Sequence, residues 1–226
     1  MELSTETRSI LSNFASINLN MLFLEGNIIK TITEGRNVQA EATIKEEFPR
    51  KFGIYDLNEF LGVLNLVDSP TIFFDEDNLV VGDKSGRTRI NYYYSVEESL
   101  TYPTKNIIMP SEEVVFVLDN TTFSKIKKAA STLGHEHLSI VGKEGTLTLS
   151  LTDLENKTKN TFAMDIDSIE DTKVSFNFII NIQNIKIIPG DYTVTISSRL
   201  ISNFKNKEIP LQYWIACEKE STFNQS

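Results

Sequence analysis

Ile54-Tyr55-Asp56-Leu57-Asn58-Glu59-Phe60 and Ile179-Ile180-Asn181-Ile182-Gln183-Asn184-Ile185 set an Asp or an Asn at the same point of one apolar frame, 125 residues apart. Outward from this pair the correspondence continues. Leu3-Ser4-Thr5-Glu6-Thr7 opens an apolar-periodic stretch, and Leu118-Asp119-Asn120-Thr121-Thr122 opens another 115 residues later. A Glu-Gly turn follows each, Glu25-Gly26 and Glu144-Gly145, 119 residues apart. A slowly growing offset is what two copies of one unit with small loop insertions produce, so the 226 residues divide into two domains of roughly 110 residues each.

Each half has two stretches at helical spacing. Leu3, Thr7, Ile10, Leu11 and Phe14 form one stripe, with Ser4 placed to accept the orphan N–H groups of the first turn. Asp119 holds the matching cap before Phe123, Ile126, Ala130 and Leu133. Asp56 precedes Leu57, Phe60, Leu61 and Leu64, with Glu59 three residues after the cap as in a capping box. Its counterpart is a fourth helix from Asn181 through Ile182, Ile185 and Ile188, stopped by Pro189-Gly190. Between the helices the period falls to two, as in Thr146-Leu147-Thr148-Leu149-Ser150-Leu151 and Tyr192-Thr193-Val194-Thr195-Ile196. Tight turns at Glu25-Gly26-Asn27, Glu76-Asp77-Asn78, Lys143-Glu144-Gly145 and Glu155-Asn156-Lys157 imply antiparallel meanders. The fold class is therefore α+β: two similar domains, each with antiparallel sheets outside and two short helices on one face. The boundaries read 1–94 for the first domain, 95–113 for a connector that holds Pro103 and Pro110, and 114–226 for the second.

Composition is that of a globular chain, 40% hydrophobic and 23% charged, with no apolar run long enough to span a bilayer. Met1-Glu2-Leu3-Ser4 carries no secretion signal and Cys217 is the only cysteine, which together point to a reducing cytoplasm. The net charge is −9, with 10 Lys+Arg against 16 Asp+Glu in residues 1–110 and 12 against 15 in residues 111–226. An acidic chain repels nucleic acid unless its basic residues gather on one face.

Gly82-Asp83-Lys84-Ser85-Gly86 has the residue types of a phosphate loop but not its spacing, and it leads into a strand rather than a helix; a hairpin turn is the reading. His135-Glu136-His137 sets two imidazoles on one side of a strand, yet no third histidine exists to complete a zinc site. Asp75-Glu76-Asp77, Glu97-Glu98 and Asp165-Ile166-Asp167 read as solvated turns and strand ends. No nucleophile context, metal or cofactor is indicated, and the chain reads as non-enzymatic.

The lysines carry more. In the helix after Asp119, Lys128 points away from the apolar stripe, Lys125 lies near it and Lys127 sits on the flank; Arg8 lies off the stripe of the first helix and Lys186 falls in the fourth. Across the expected helices (4–18, 56–66, 119–134, 181–188) these five bases oppose Glu6, Asp56, Glu59 and Asp119, a net charge of +1, so the acidity belongs to the rest of the molecule. A solvated helix face is the plain alternative.

Leu3-Ser4 through Asn13-Phe14-Ala15-Ser16-Ile17-Asn18, Ile54 through Leu64, and Phe176 through Asn181 with Pro189-Gly190-Asp191-Tyr192 resemble the sliding clamps of T-even-type bacteriophages, processivity factors of the replicative DNA polymerase. The resemblance runs in order over essentially the whole chain. It implies a homotrimeric ring of six similar domains, lined by helices and walled by sheet, that encircles duplex DNA without reading its sequence. Arg8, Lys125, Lys127, Lys128 and Lys186 would then face the phosphates. It also implies a groove for a polymerase C-terminal peptide at Tyr102, Pro103, Ile107 and Ile108, which on their residue types could equally pack the two domains together. A separate ATP-driven clamp loader, transcription factors as further partners and the cytoplasm of an infected bacterial host follow from the same resemblance. Two departures stand out: Thr5 and Ser12 occupy positions that relatives tend to fill with lysine, and Glu59 faces outward. The readings from other classes are a metal-dependent nuclease built on the carboxylates and a duplicated β-rich single-strand-binding or virion structural protein.

Overall fold

A computed structural model describes residues 1–154, 156, 158–168 and 174–225. Glu155 and Lys157 of the expected turn Glu155-Asn156-Lys157 lie outside the described residues. The chain divides into two compact units, Met1–Asn106 with Pro210–Gln212, and Ile107–Ile209 with Tyr213–Ser226, so the division falls inside the stretch 95–113.

In the first unit, helix α1 (Thr5–Ile17) begins where Ser4 Oγ accepts the Thr7 amide at 3.2 Å, and it buries Thr7, Ile10, Leu11, Phe14, Ala15 and Ile17. Strand β1 (Met21–Phe23) is followed by the hairpin β2 (Gly26–Ile32) and β3 (Val38–Phe48), and β4 (Phe52–Ile54) returns antiparallel to β1. Phe23 stacks on Phe52 at 4.6 Å while Phe48 meets Phe23 edge-on at 4.9 Å, the offset geometries that aromatic quadrupoles favour. Asp56 caps α2 (Leu57–Asn65) by accepting from the amides of Asn58 at 2.9 Å and Glu59 at 3.1 Å. Strands β5 (Thr71–Phe74), β6 (Asn78–Gly82) and β7 (Arg89–Tyr93) form an antiparallel meander, and Gly82 to Thr88 is its hairpin turn as expected. Residues after β7 stay with this unit: the Ser95 amide donates to Gly53 O at 3.0 Å, Glu97–Ser99 make a 3₁₀ turn, and Asn18 and Asn20 bind the Thr101 backbone.

The second unit repeats the plan. Strand β8 (Val114–Leu118) leads into α3 (Asn120–Leu133), whose first turn is capped by Asp119 and whose end is closed by Gly134 in the left-handed region at φ 67°, where a Cβ is strained. A two-residue turn at Glu144-Gly145, both with positive φ, joins β9 (His137–Lys143) to β10 (Thr146–Thr152). With β11 (Phe162–Ser168), β12 (Val174–Asn181) and β16 (Thr222–Gln225) these form one sheet in the order β11-β10-β9-β12-β16. The hairpins of β13 (Tyr192–Ser197), β14 (Ile201–Asn206) and β15 (Leu211–Ala216) join β8 in the order β15-β14-β13-β8. Phe178, Ile180, Val194, Phe204, Tyr213 and Ile215 are buried between them, each worth about 1.5–3 kcal/mol of apolar burial.

The fourth helix is a correction. Only a 3₁₀ turn forms, Ile182–Asn184, and beyond it Ile185 and Ile187 are buried while Lys186 between them is exposed. Four isoleucines in seven residues crowd a helix at χ1, and the extended path buries Ile185 and Ile187 on one side. Asn181 still caps as read, accepting the Gln183 amide at 2.9 Å.

Candidate DNA-facing and partner-docking surfaces

Helix α3 sends Phe123, Ile126 and Ala130 inward, which leaves Lys125, Lys127 and Lys128 exposed together with Ser124, Ser131 and Thr132. No carboxylate lies in Asn120–Leu133. Lys127 leans back one turn, its ammonium 5.5 Å from the Phe123 ring centroid, a cation–π contact that holds it against the helix. Lys125 and Lys128, three residues apart, share one face and make no ion pair among the described residues.

Arg8 is placed differently. It is half-buried on α1, and its Nε is buried without a hydrogen-bond partner among the described residues. The fully exposed residues of α1 are Thr5, Ser9, Ser12 and Ser16, an uncharged hydroxyl face. Lys186 is exposed in the extended segment after the 3₁₀ turn, not on a helix. On α2 the exposed residues include Asn58, Glu59 and Asn65, and Glu59 Oε2 accepts from the Tyr92 hydroxyl at 3.2 Å instead of closing a capping box. Burial, and then the negative charge of Glu59 and Asp56, push the Tyr92 phenol upward.

Of the four groove candidates the first unit brings two together. Tyr102 and Pro103 line a hollow of about 280 Å³ with Leu22, Leu24, Ile28, Lys30 and Thr104. Leu24 is 50% and Ile28 48% exposed, so the hollow has open apolar walls. The Tyr102 hydroxyl donates to Glu97 Oε1 at 2.7 Å, and Lys51 pairs with the same carboxylate at 2.5 Å. These contacts from Lys51 and Tyr102 hold the Glu97 carboxyl below its ordinary range and fix one wall of the hollow. Lys30 is tied to Glu41 at 2.8 Å and Asn106 at 2.6 Å. Ile107 and Ile108 belong to the second unit, and Ile108 is 86% exposed. The sequence reading missed Leu22, Leu24 and Ile28. For Leu22 and Leu24 the signal was present in the unbroken apolar run Met21-Leu22-Phe23-Leu24, which a strand with one buried face does not need; Ile28 lies outside that run.

The remaining candidates behave as turns and core. Asp83 accepts from Ser85 Oγ and from the Arg87 and Thr88 amides, and these bonds, led by that from Ser85, draw its carboxyl down to about 2. His135 is buried, with Nε2 2.6 Å from Asn160 O. Among the described residues no group of three or more His, Cys, Asp or Glu is gathered to ligate a metal ion, and no helix is long and apolar enough to cross a membrane.

Two family models match the chain, DNA polymerase processivity factor over residues 4–100 and gp45 sliding clamp, C terminal, over residues 115–219. The sliding clamp of Vibrio phage KVP40 is 34% identical over 224 residues, which cover 96% of this chain and 99% of that protein. Those of Escherichia phage RB69 and Enterobacteria phage T4 are each 29% identical and cover 98% of this chain and 99% of theirs. Among solved structures, an A. fulgidus PCNA bound to the C-terminal region of FEN-1 aligns over 95% of this chain and 96% of its own, with a TM-score of 0.68 at 11% identity. Proliferating Cellular Nuclear Antigen from Entamoeba histolytica aligns over 93% and 94%, with a TM-score of 0.65 at 12% identity. By fold and by sequence over nearly its full length, the chain belongs to the sliding-clamp family of DNA polymerase processivity factors.

Proposed function

We infer that three copies of this chain close head-to-tail into a ring around duplex DNA, inside the infected bacterial host, and that this ring tethers the replicative polymerase by topology. The observation that carries the reading is the face of α3, where Lys125 and Lys128 stand exposed with no acid on the helix, in a chain of net charge −9. Such a face meets phosphates without reading bases. Few contacts suit the task, because every strong phosphate contact would brake movement along the duplex. The hydroxyl face of α1, the half-buried Arg8 and the loop position of Lys186 keep the cationic surface sparse. Closure of a ring from identical copies needs a heterologous interface whose rotation closes.

The polymerase's C-terminal peptide enters the apolar hollow of the first unit at Tyr102 and Pro103; Ile107 and Ile108, the other two groove candidates, follow in sequence and belong to the second unit. Transcription factors with a similar apolar tail would compete for the same hollow. The chain itself offers no nucleotide-binding loop, so opening falls to a separate ATP-driven loader, and its own role needs no cofactor and no catalysis. The test is retention. Protein loaded on closed circular duplex should stay through gel filtration and leave once the circle is linearised. Equal retention on both forms would mean adhesion and would end the reading, and magnesium-dependent cutting of either form would replace it with a nuclease.

A further inference from the structure

Strand β2 turns alternate side chains to opposite faces. Ile29 and Thr31 are buried, while Ile28 and Lys30 stand on the outer face opposite Thr43 and Glu41 of β3. That outer face is one side of the hollow at Tyr102 and Pro103, and Lys30 is the one charged side chain that lines it. Its side chain is only 22% exposed, and its ammonium donates to Glu41 Oε2 at 2.8 Å and to Asn106 Oδ1 at 2.6 Å. An ammonium has three donors and no acceptor, so a further N–H is left to a ligand. The acids tied to this wall are already engaged: Glu41 holds Lys30 and accepts from Gln212 Nε2 at 3.2 Å, and Glu97 holds Tyr102 and Lys51. Lys105, next after the lining residue Thr104, is exposed and makes no ion pair among the described residues. An apolar hollow whose one charge is a cation with a donor to spare is complementary to an apolar group that carries a carboxylate.

The bond to Asn106 decides which carboxylate that is. One side of the hollow comes from Leu24, Ile28 and Lys30, the other from the stretch Tyr102 to Thr104, and the Lys30–Asn106 bond joins the two sides at one end. A chain that ran on past Lys30 would have to break that bond. A chain that stops there meets the spare donor. We propose that Lys30 reads the α-carboxylate of a docking peptide, so that the hollow accepts an apolar segment only at the very C-terminus of a partner. This rests on the reading of the hollow as a peptide site and names what the site selects. The last apolar side chain packs against Leu24 and Ile28 while the terminal carboxylate accepts from Lys30 Nζ, a charge-assisted bond in a place largely shielded from water. Glu41 sets its strength, because the resident carboxylate shares the ammonium with the incoming one and repels it.

The test is binding of a fluorescent synthetic peptide, carrying the polymerase's last residues, to the full chain. It is made as the free acid, as the C-terminal amide, and as the free acid extended by Gly-Gly. The free acid should bind about tenfold more tightly than the amide, and that advantage should shrink with added salt. The extended peptide, its carboxylate displaced, should bind like the amide. Lys30→Met keeps the apolar stem and should abolish the advantage while leaving the amide's affinity unchanged. Glu41→Gln should tighten the free acid several-fold and leave the amide as it was. Since Lys30→Met strands Glu41 without its cation, the double variant Lys30→Met/Glu41→Gln repeats the comparison with both positions neutral, with the melting temperature as the control for folding. Equal binding of acid and amide by the parent, or an advantage that survives in both Lys30 variants or is lost instead in Lys105→Ala, overturns the assignment and leaves the hollow as the peptide site. A parent chain that binds none of the peptides, or binding that Leu24→Glu leaves unchanged, overturns the peptide site and the assignment together.

Discussion

Glu46 of β3 anchors the start of α1 from 42 residues away: its Oε1 accepts the Ser4 amide and its Oε2 accepts the Thr7 hydroxyl at 2.5 Å. Partial burial pushes this carboxyl up, and the hydrogen bonds from Thr7 and Ser4 outweigh that and leave it below its ordinary value of 4.5. A carboxyl with a lowered folded-state pKa contributes stability that is present above 4.5 and lost as pH falls through the folded value. Glu46→Gln should therefore reduce stability at pH 7 by about 1 kcal/mol and flatten the acid side of the stability curve. Urea melts at neutral pH and below pH 4.5 would test it, and parallel acid losses in parent and variant would clear Glu46 of the role. The Ser4 cap was legible because capping is local. Its second holder was not, because nothing local in the sequence ties position 46 to position 4.

At the scale of elements, glycine separates packing from propensity within one pair of variants. A Cβ on Gly142 of β9 would sit 2.2 Å from Phe176 Cε1, and that ring is itself held against Phe178 and Phe223. Gly142→Ala should destabilise by about 1–3 kcal/mol through overpacking. A Cβ on Gly62, on the exposed side of α2, meets nothing within 4 Å, so Gly62→Ala should stabilise by about 0.5–1 kcal/mol. Urea midpoints that move in opposite directions are the expected result; a shared direction would refute one packing assignment. Three of the four helices were legible from a side-chain cap followed by a stripe at helical spacing, as in Asp119 before Phe123, Ile126 and Ala130. The stretch after Asn181 had both signals and still formed only a 3₁₀ turn. Ile185 and Ile187, two apart, also suit an extended segment whose alternate residues are buried, and their burial on either side of the exposed Lys186 decided between the two. The hollow was half legible for a related reason: Tyr102 and Pro103 stood out in a loop-like stretch, whereas Leu24 and Ile28 have the residue types of ordinary strand core and are about half exposed, and Leu22 is core in fact.

At the scale of the whole molecule the duplication was the readable feature, because it rests on order along the chain and not on contacts. Which surface the charges occupy is a different matter, since a net charge of −9 says nothing about where Lys125 and Lys128 lie relative to the acids. Two charge reversals divide that question. Lys84→Glu and Lys128→Glu each change the net charge by the same amount, so any response to the overall field of the protein is common to both. Lys84 sits in the turn between β6 and β7 and is paired with Glu2 at 2.9 Å, an exposed ion pair that solvent screens. Lys128 stands on the exposed face of α3. With the chain loaded on circular duplex in about 0.1 M salt, Lys128→Glu should shorten retention or lower loading several-fold, and Lys84→Glu less than about twofold. The salt dependence should separate them as well: removing one phosphate contact lowers the slope of log affinity against log salt by about 0.9, and only Lys128→Glu should do so. Native mass measured on the same samples separates lost retention by intact rings, which belongs to DNA contact, from loss of the rings themselves. Equal retention for the two reversals, with rings intact in both, would remove α3 from the DNA-facing surface.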